Sequence, residues 1–473
     1  MPKVIGVDSS TQSCKVLVVD VASGHILSEA TTPHPEGTEI DPELWWVALQ
    51  RCLDQVDTSG VEAISVGAQQ HGLVALDASG EVLRPALLWN DTRSAPQAEK
   101  IIAEFGAASV AERTGSVPVA SFTSTKLAWM RQHEPELASR VAAVALPHDW
   151  LTWRLRGYGP VGSSRLGAQL DELVTDRSDA SGTGYFSAVT NSYDDEILDF
   201  VLGHRPTLPR VVASSDTAGT TEEGWIVGAG GGDNAMAALG LGTQVGDVVM
   251  SLGTSGTVFA VTSQPSHDAS GTVAGFADAA GAFLPLVATL NASRTFDSVR
   301  QLLGFSWDEF SRALQSAAPG SGGLTMLPFF DGERMPNLPD ATGVLGGISR
   351  LSLTPENMAR SVVEAVVSNL SRGIEAIVEE TEKLERLILI GGGAHNIGVQ
   401  HVVSETLSLP VVVPDPGEYV AIGAAKQAAW ALTGKRPGWQ PQARALPPGP
   451  TDPEARNQFD DLLRKYEEGL SQG

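Results

Sequence analysis

The chain has 473 residues, more than one hydrophobic core normally serves, so we expect two domains. Its formal net charge is −24, and a chain this acidic repels nucleic acid and anionic membrane surfaces. Two separated cysteines, no signal-peptide pattern and no apolar run of ~20 residues indicate a soluble, cytoplasmic protein without a disulfide framework or zinc site.

The first predicted element is a hairpin in which two apolar strands flank a short polar turn. It runs from Val4 to Val19, and we place Asp8 at its tip. Small residues and hydroxyl groups, among them Ser10 and Thr11, leave the backbone N–H groups of the turn open to an anion. We therefore predict that this turn binds phosphate and that the Asp8 carboxylate holds Mg²⁺ or its waters.

Two polar clusters follow apolar strands further along the first half of the chain. One cluster contains Gln70 and His71, and the other contains Trp89, Asn90 and Asp91. Planar polar groups can hydrogen-bond hydroxyls, and an indole ring can cover C–H faces. A single His or Trp would more often belong to a hydrophobic core, but this combination at strand ends indicates a polyol-binding site.

A run of three glycines, Gly230-Gly-Gly, leads into Asp233 and a predicted helix over Ala235–Leu239. The sequence contains neither a P-loop nor the H-R-D and D-F-G motifs of protein kinases, so a nucleotide must be held in another way. We interpret Asp233 as a general base that takes the proton from a substrate hydroxyl as it attacks a γ-phosphate. The alternative is that Asp233 only N-caps the helix.

A second hairpin, from Val248 to Val261, repeats the plan of the first. Its turn contains Gly253, Thr254 and Ser255, whose amide groups we predict to bind phosphate. Either hairpin alone could be only a tight structural turn. The pair, one in each half of the chain, indicates two related lobes that grip a polyphosphate.

Strand-like and helix-like patterns alternate along the chain, which predicts α/β lobes. We place an N-terminal lobe with the sugar site and the base at 1–246, and a C-terminal, nucleotide-binding lobe at 247–435. Residues 436–473 form a tail with a polar helix near Asp452–Leu470. The further predicted elements are helices over Ser361–Glu380, Val399–Leu407 and Glu418–Trp430, the last with a small-residue face, and strands over Leu387–Ile390 and Val411–Val413.

Taken in order, the motifs resemble those of the FGGY carbohydrate kinase family, and within it the bacterial xylulokinases. The resemblance covers roughly residues 3–435. It rests on Gly6-Val-Asp8-Ser-Ser-Thr, Gln70-His71-Gly72-Leu, Leu88-Trp-Asn-Asp91-x-Arg93, Asp149-Trp-Leu-Thr-Trp-Arg-Leu-x-Gly157, Thr175-Asp-x-Ser-Asp-Ala-Ser-Gly-Thr183, Gly230-Gly-Gly-Asp233-Asn-Ala, Leu252-Gly-Thr-Ser-Gly256, Gly332-Glu-Arg334 and Gly391-Gly-Gly393.

The resemblance implies an actin-like, hexokinase-like fold of two ribonuclease-H-like lobes with a cleft between them, which closes around the sugar. It implies the reaction of ATP with D-xylulose to give ADP and D-xylulose 5-phosphate, with Mg²⁺. By the same resemblance, Asp233 is the catalytic base, Gln70 and His71 contact the sugar, Asp8 lies by the metal and Thr254 binds phosphate.

The remaining site residues also follow from the matched motifs. Gly391, Gly392 and Gly393, together with Asn396, match the loop that holds adenosine. Asn234, next to the proposed base, is included in the sugar-binding set.

Four departures from the xylulokinase pattern bear on the substrate. Met335-Pro-Asn337 follows Gly332-Glu-Arg where Thr-Pro-His is usual, Thr92 replaces a frequent Gly, and His148 replaces a Lys. Gln70, where Met is usual, matters most, because it places a hydrogen-bonding amide beside the sugar. Another pentulose or a polyol, such as ribulose or a pentitol, therefore stays an alternative substrate. A non-catalytic sugar- or nucleotide-binding regulator on the same fold is a further alternative, and a homodimer is among the expectations.

Overall fold

The computed structural model describes residues 2–449 and 453–470. The strands are β1 (Lys3–Ser9), β2 (Ser13–Asp20), β3 (Ile26–Pro33), β4 (Glu39–Ile40), β5 (Val61–Ala68), β6 (Val74–Leu76), β7 (Ala86–Leu87), β8 (Ala143–Ala145), β9 (Val174–Thr175), β10 (Phe186–Ser187), β11 (Ser192–Tyr193), β12 (Arg210–Val211), β13 (Thr217–Thr220), β14 (Ile226–Gly228), β15 (Gly231–Gly232), β16 (Asp247–Leu252), β17 (Gly256–Ala260), β18 (Ala274–Ala277), β19 (Phe283–Thr289), β20 (Thr325–Leu327), β21 (Val344–Gly346), β22 (Arg386–Ile390), β23 (Val411–Pro414) and β24 (Ala443–Ala445).

The helices are α1 (Pro42–Leu53), α2 (Ala95–Phe105), α3 (Ala107–Thr114), α4 (Thr123–His133), α5 (Pro135–Ala138), α6 (Pro147–Leu155), α7 (Arg177–Ala180), α8 (Asp195–Leu202), α9 (Asp233–Leu241), α10 (Ser293–Leu302), α11 (Trp307–Ser316), α12 (Pro355–Glu380), α13 (Ile397–Thr406), α14 (Tyr419–Thr433) and α15 (Glu454–Leu470). Short 3₁₀ helices cover Leu170–Glu172, Ser181–Thr183, Ser321–Gly323 and Gly392–His395. Within residues 2–449 and 453–470, no helix combines the length and apolar character that crossing a membrane requires.

The chain divides into two compact units that are not contiguous in sequence. The first unit contains the residues up to Thr243, with Gln264–Leu284 and Gly417–Gln440. The second contains Gln244–Ser263, Pro285–Pro416 and the residues from Pro441 onward. These units differ from the two contiguous lobes predicted at 1–246 and 247–435. The main difference is α14, which packs with the N-terminal strands although it lies near the C-terminal end of the predicted second lobe.

The first unit is built on a mixed sheet in the order β13-β14-β5-β1-β2-β3. β2 is antiparallel to β1 and β3, whereas β5 is parallel to β1 and β14. Alternate residues of β1 enter different cores: Ile5 and Val7 pack with Trp45 of α1, while Val4 packs with the alanines of α14. The sheet is covered on both faces, which is why its strands read as nearly continuous apolar runs.

Helix α14 lies unusually close to its neighbours in the first unit. A Cβ atom at Gly6 of β1 would lie 1.9 Å from the carbonyl oxygen of Ala421, and one at Gly423 would lie 1.9 Å from that of Met236 in α9. Only residues without a side chain allow backbones to approach this closely. The small-residue face predicted for this helix is confirmed.

The second unit repeats the topology of the first. Its sheet runs in the order β19-β17-β16-β22-β23-β24. β17 is antiparallel to β16 and β19, and β22 is parallel to β16 and β23. β16 and β17 thus occupy the places that β1 and β2 hold in the first sheet, which confirms the repeated hairpin as a sign of two related lobes.

Several helices begin at cap residues rather than at the first apolar residue of the predicted pattern. Helix α12 begins at Pro355, not near Ser361, because the Thr354 side chain N-caps it and proline suits the first helical position. Asn396 N-caps α13 in the same way. The tail helix is α15, and its predicted start near Asp452 lies outside the described residues.

Candidate active site

The register of three strands brings Asp8 and Asp233 to one edge of the first sheet. Asp8 is not at the hairpin tip as predicted: it lies within β1, opposite Gly67 of the parallel strand β5. Gly231 and Gly232 of β15 pair with β5 at Gly67 and the following residue, and Asp233 comes next. Because the carboxyl ends of parallel strands meet at the same edge, both carboxylates stand there.

Asp233 is the first residue of α9 and is half-buried. Gly232 occupies the N-cap position, so the alternative in which Asp233 only N-caps this helix is wrong. Its Oδ1 accepts hydrogen bonds from the backbone N–H of Asn234 at 2.8 Å and from Asn234 Nδ2 at 3.0 Å. Asn234 therefore fixes one carboxylate oxygen and leaves the other to a ligand.

The two carboxylates have raised pKa values. Burial and then the charge of Asp8 raise the pKa of Asp233 to about 7. Burial raises the pKa of Asp8 to about 6, although the Ser10 hydroxyl donates to it and Lys15 lies nearby. A cation beside Asp8 would relieve this repulsion, and carboxylate oxygens are ligands that Mg²⁺ prefers, so the donor set fits that metal.

The turn after β1 is held in place by side chains of the first unit. The Thr11 hydroxyl accepts a hydrogen bond from Trp89 Nε1 at 2.8 Å. The carbonyl oxygen of Ser10 lies 3.0 Å from Nδ1 of His34. Trp89, predicted to contact sugar, thus directly supports the turn predicted to bind phosphate.

Gln70 and His71 are fixed by the segment around α7. Gln70 is buried, and its Nε2 donates to the carbonyl oxygen of Ser178 at 3.0 Å. His71 Nδ1 lies 2.6 Å from the carbonyl oxygen of Gly182. The His71 backbone has a φ of 69°, in the left-handed region that residues with side chains rarely adopt. Such a conformation persists only where its surroundings enforce it.

Lys126 is part of what enforces that conformation, and sequence reasoning missed it. Its fully buried ammonium group donates to the carbonyl oxygens of His71 at 2.8 Å and Ser121 at 2.7 Å. Burial lowers its pKa well below the usual range. The sequence does contain a sign of this role. Lys126 is four residues before Met130 and therefore lies on the same, buried face of α4, where a lysine is unusual.

Asn90 and Asp91 make local structural bonds. The buried Asp91 accepts from Arg93 Nε at 2.8 Å, and although burial opposes it, the Arg93 guanidinium lowers the pKa of this carboxyl. Asn90 Nδ2 donates to the carbonyl oxygen of Gly37 at 3.3 Å. Their contact with sugar stays a prediction.

The second unit brings its two glycine-containing turns together. Ser251 of β16 pairs with Ile390 of β22, so the turn at Gly253, Thr254 and Ser255 lies beside Gly391. A Cβ at Gly391 would lie 2.7 Å from the Leu252 backbone, which shows how closely the turns pack. Thr254 and Ser255 are exposed. Binding of an anion by the backbone amides of this exposed turn stays a prediction.

The loop after β22 continues through Gly392 and Gly393 to Asn396. The Asn396 carbonyl oxygen Oδ1 accepts from the backbone N–H groups of Gly398 at 2.9 Å and Val399 at 3.2 Å. This side chain therefore caps α13. Its contact with adenosine, like that of the three glycines, stays a prediction.

Comparison with known proteins identifies the family. The model of the FGGY family of carbohydrate kinases, N-terminal domain, matches residues 3–240, and that of the C-terminal domain matches residues 248–432. The chain belongs to the FGGY family of carbohydrate kinases. The expected family, the actin- and hexokinase-like fold of two related domains, and the class of enzyme are thus confirmed, and ATP is the phosphoryl donor that such a kinase uses.

Individual relatives of this carbohydrate kinase are xylulose kinases. The xylulose kinase of Streptomyces coelicolor is 47% identical over 450 residues, covering 92% of this chain and 89% of that protein. The xylulose kinase of Haemophilus influenzae is 32% identical and covers 90% of each chain. The crystal structure of xylulose kinase from Bifidobacterium adolescentis superimposes with a TM-score of 0.91 at 40% identity, covering 98% of this chain and 99% of that one.

Proposed function

We propose that this carbohydrate kinase transfers the γ-phosphoryl group of ATP to D-xylulose, giving ADP and D-xylulose 5-phosphate in the cytoplasm. The observation that carries the mechanism is Asp233, a half-buried carboxylate facing a second carboxylate, with a pKa raised to about 7. A general base is most effective when its pKa lies near the working pH. The identity of 47% to a xylulose kinase over most of the chain supports the substrate.

Asp233 acts on the hydroxyl that becomes phosphorylated. Its carboxylate accepts the hydroxyl proton as the oxygen attacks the γ-phosphorus, and the bond from that phosphorus to the oxygen of ADP breaks. Asn234 holds Oδ1 through two hydrogen bonds, which orients the carboxylate before substrate arrives. Preorganisation of this kind removes reorientation from the activation barrier.

Asp8 is the residue that would hold Mg²⁺, through carboxylate oxygen or through water. The metal, when bound, supplies positive charge for the phosphates of ATP and lowers the repulsion between Asp8 and Asp233. The turn at Ser10 and Thr11 offers hydroxyls and backbone amides to the same phosphates. In the second unit, Thr254 and its neighbours are proposed to offer backbone amides to an anion.

Gln70 and His71 are proposed to recognise sugar hydroxyls. Because Gln70 Nε2 already donates to the Ser178 carbonyl, Oε1 is the atom that accepts from the sugar. Gln70 is also the observation that favours the second candidate, another pentulose or a polyol, since an amide selects hydroxyls that an apolar side chain would not. A regulator without catalysis would not need a base with this pKa.

A panel of substrates tests the proposal. ADP release would be measured with D-xylulose, D-ribulose, L-ribulose, pentitols, glycerol and gluconate, each with ATP and Mg²⁺. We expect the highest kcat/KM with D-xylulose. A higher value with another member of the panel would assign that sugar as the substrate, and no turnover with any member would contradict the proposed activity.

A further inference from the structure

One buried histidine connects the segment that holds Gln70 to the segment that carries Asp233. His148 lies in the first turn of α6 and has no exposed surface. Its Nδ1 lies 2.5 Å from Oδ2 of Asp179 in α7, and its Nε2 lies 3.3 Å from the carbonyl oxygen of Ala229. The imidazole therefore joins α7 to the residue just before the glycine run.

The ring also defines the path of the glycine run. Gly230 has a φ of 82°, and a Cβ there would lie 2.2 Å from Cδ2 of His148. On another side, Gln427 accepts from the Gly230 N–H at 2.7 Å and donates to its carbonyl oxygen at 2.9 Å. The backbone that leads to Asp233 is thus fixed three residues before the carboxylate.

Helix α7 contacts both the sugar-binding residues and the glycine run. Ser178, next to Asp179, accepts from Gln70 through its carbonyl oxygen, and its hydroxyl lies 3.2 Å from the backbone nitrogen of Gly232, which donates to it. The Asp176 side chain N-caps this helix by accepting from the N–H groups of both Ser178 and Asp179. A shift of α7 would therefore move Gln70 relative to Asp233.

The partners of His148 determine its charge. Nε2 lies 3.3 Å from the Ala229 carbonyl oxygen and 3.3 Å from Oδ1 of Asp149, and Nδ1 lies 2.5 Å from Oδ2 of Asp179. A carbonyl and an ionised carboxylate only accept, so both ring nitrogens are placed to donate. Burial lowers the pKa of His148, but the carboxylates of Asp149, Asp179 and Asp176 outweigh burial and raise that pKa to about 9. The distances and the surrounding carboxylates together favour an imidazolium that donates through both ring nitrogens.

We propose that His148 is a positioning residue, which sets where the Asp233 carboxylate stands relative to Gln70 by donating to Asp179 and Ala229 at the same time. Because it has no exposed surface, it is not placed to contact a substrate directly. This inference rests on the proposed role of Asp233 as the base.

The test compares His148→Gln, which keeps one donor but no charge, with His148→Lys, which keeps a cation and several donors. His204→Gln is the matched control. His204 is a half-buried histidine, and its Nε2 also lies close to a backbone carbonyl oxygen, 2.8 Å from that of Val141, but this residue belongs neither to α7 nor to the glycine run. Steady-state constants would be measured with the best sugar of the panel. Calorimetric titration with ATP would count the molecules that bind nucleotide.

We expect His148→Gln to lower kcat per nucleotide-binding molecule by about 10- to 100-fold, since small displacements of catalytic groups have effects of this size. The KM for ATP should change by less than about twofold, and His148→Lys should recover at least about threefold in kcat over His148→Gln. A merely structural role would reduce the number of binding-competent molecules and leave their kcat intact. A kcat for His148→Gln within about twofold of the parent would overturn the proposal.

A second measurement needs no soluble variant. Long-range ¹⁵N–¹H correlation spectra of the unmodified protein at pH 7.5 should show one histidine with both ring nitrogens protonated, and a spectrum with only neutral histidine tautomers would overturn the proposal. Asp233→Asn separates the two hypotheses. If that variant keeps normal turnover, the base assignment fails, whereas an inactive Asp233→Asn with a fully active His148→Gln removes only the role of His148.

Discussion

Asp233 combines two properties that a base needs near neutral pH. The residue is only half-buried, and burial of its carboxyl together with the charge of Asp8 raises its pKa to about 7. An ordinary aspartate would be ionised at this pH but would hold a transferred proton weakly. We therefore propose that Asp8, on β1 and separated from β15 by β5, contributes to the chemistry through its charge.

The raised pKa of Asp233 can be measured directly. In NMR spectra of metal-free protein labelled with ¹³C at the aspartate Cγ, one carboxyl signal should titrate near pH 7. That signal should be missing from the spectra of Asp233→Asn. If the carboxyl lost in Asp233→Asn titrates at or below the ordinary aspartate pKa of 3.8, this account of the base is contradicted.

The same shift predicts how stability depends on pH. Because the pKa of Asp233 in the folded protein lies above the ordinary value of 3.8, the folded protein binds this proton more tightly than the unfolded chain does. Stability therefore falls as pH rises from about 4 to about 7. Asp233→Asn should therefore lose less free energy of unfolding than the parent between pH 4 and pH 7 in urea titrations. Equal losses in the two proteins would show that Asp233 has no such shift.

Lys126 gives a second prediction at this scale. Lys126→Met removes the donor to the His71 carbonyl and should raise the KM for sugar by about tenfold, the effect of about 1.4 kcal/mol, while the KM for ATP stays the same. Steady-state kinetics would measure both constants. Lys100→Met, at an exposed lysine, is the control, and an unchanged sugar KM in Lys126→Met would contradict the role.

At the scale of elements, the two sheets share one strand order, and in each of them the turns proposed to bind phosphate lie where parallel strands end. Apolar runs and turns of small, hydroxyl-bearing residues were enough to predict β1, β2, β16 and β17. The four-residue helix α7 could not be predicted, because it is too short to show a helical period. The packing of α14 on β1 joins residues more than 400 positions apart, which no local pattern reports.

Prediction of the site from sequence was limited in a similar way. Gln70, His71 and Asp233 could be chosen because polar groups at strand ends are conspicuous. Their mutual placement depends on β15 pairing with β5 and on Ser178, which contacts both segments. These contacts form only in the folded chain, so the sequence indicated the residues and not the network.

The contact between α9 and α14 yields a prediction about stability. Alanine favours a helix interior over glycine by about 1 kcal/mol, so Gly423→Ala would stabilise an isolated helix. Here the added Cβ would lie 1.9 Å from the Met236 carbonyl oxygen, and a backbone atom cannot rotate away. We expect a net loss of about 1–3 kcal/mol in the free energy of unfolding.

Urea denaturation would measure this effect. Gly438→Ala is the matched control, because no atom lies within 4 Å of the Cβ position there. If Gly423→Ala had the same free energy of unfolding as Gly438→Ala, the prediction would be contradicted, because α9 and α14 could then move apart with little loss of stability.

At the scale of the whole molecule, a chain with a net charge of −24 must bind a polyanionic nucleotide. Open backbone amides and a divalent cation at Asp8 are the proposed local solution. Excess EDTA should abolish phosphoryl transfer, and added Mg²⁺ should restore it, with sugar phosphate detected directly by ³¹P NMR. Full activity in EDTA would remove the metal from the proposal.

The most direct test of the central claim compares the parent with Asp233→Asn in one experiment. D-Xylulose, ATP and Mg²⁺ would be mixed at pH 7.5, and formation of D-xylulose 5-phosphate followed by ³¹P NMR, with sugar binding checked by calorimetry. We predict that the parent forms this product and that Asp233→Asn binds D-xylulose but forms the product about 10²–10⁴-fold more slowly. A variant within about tenfold of the parent rate, or a parent that forms no sugar phosphate, would contradict the account.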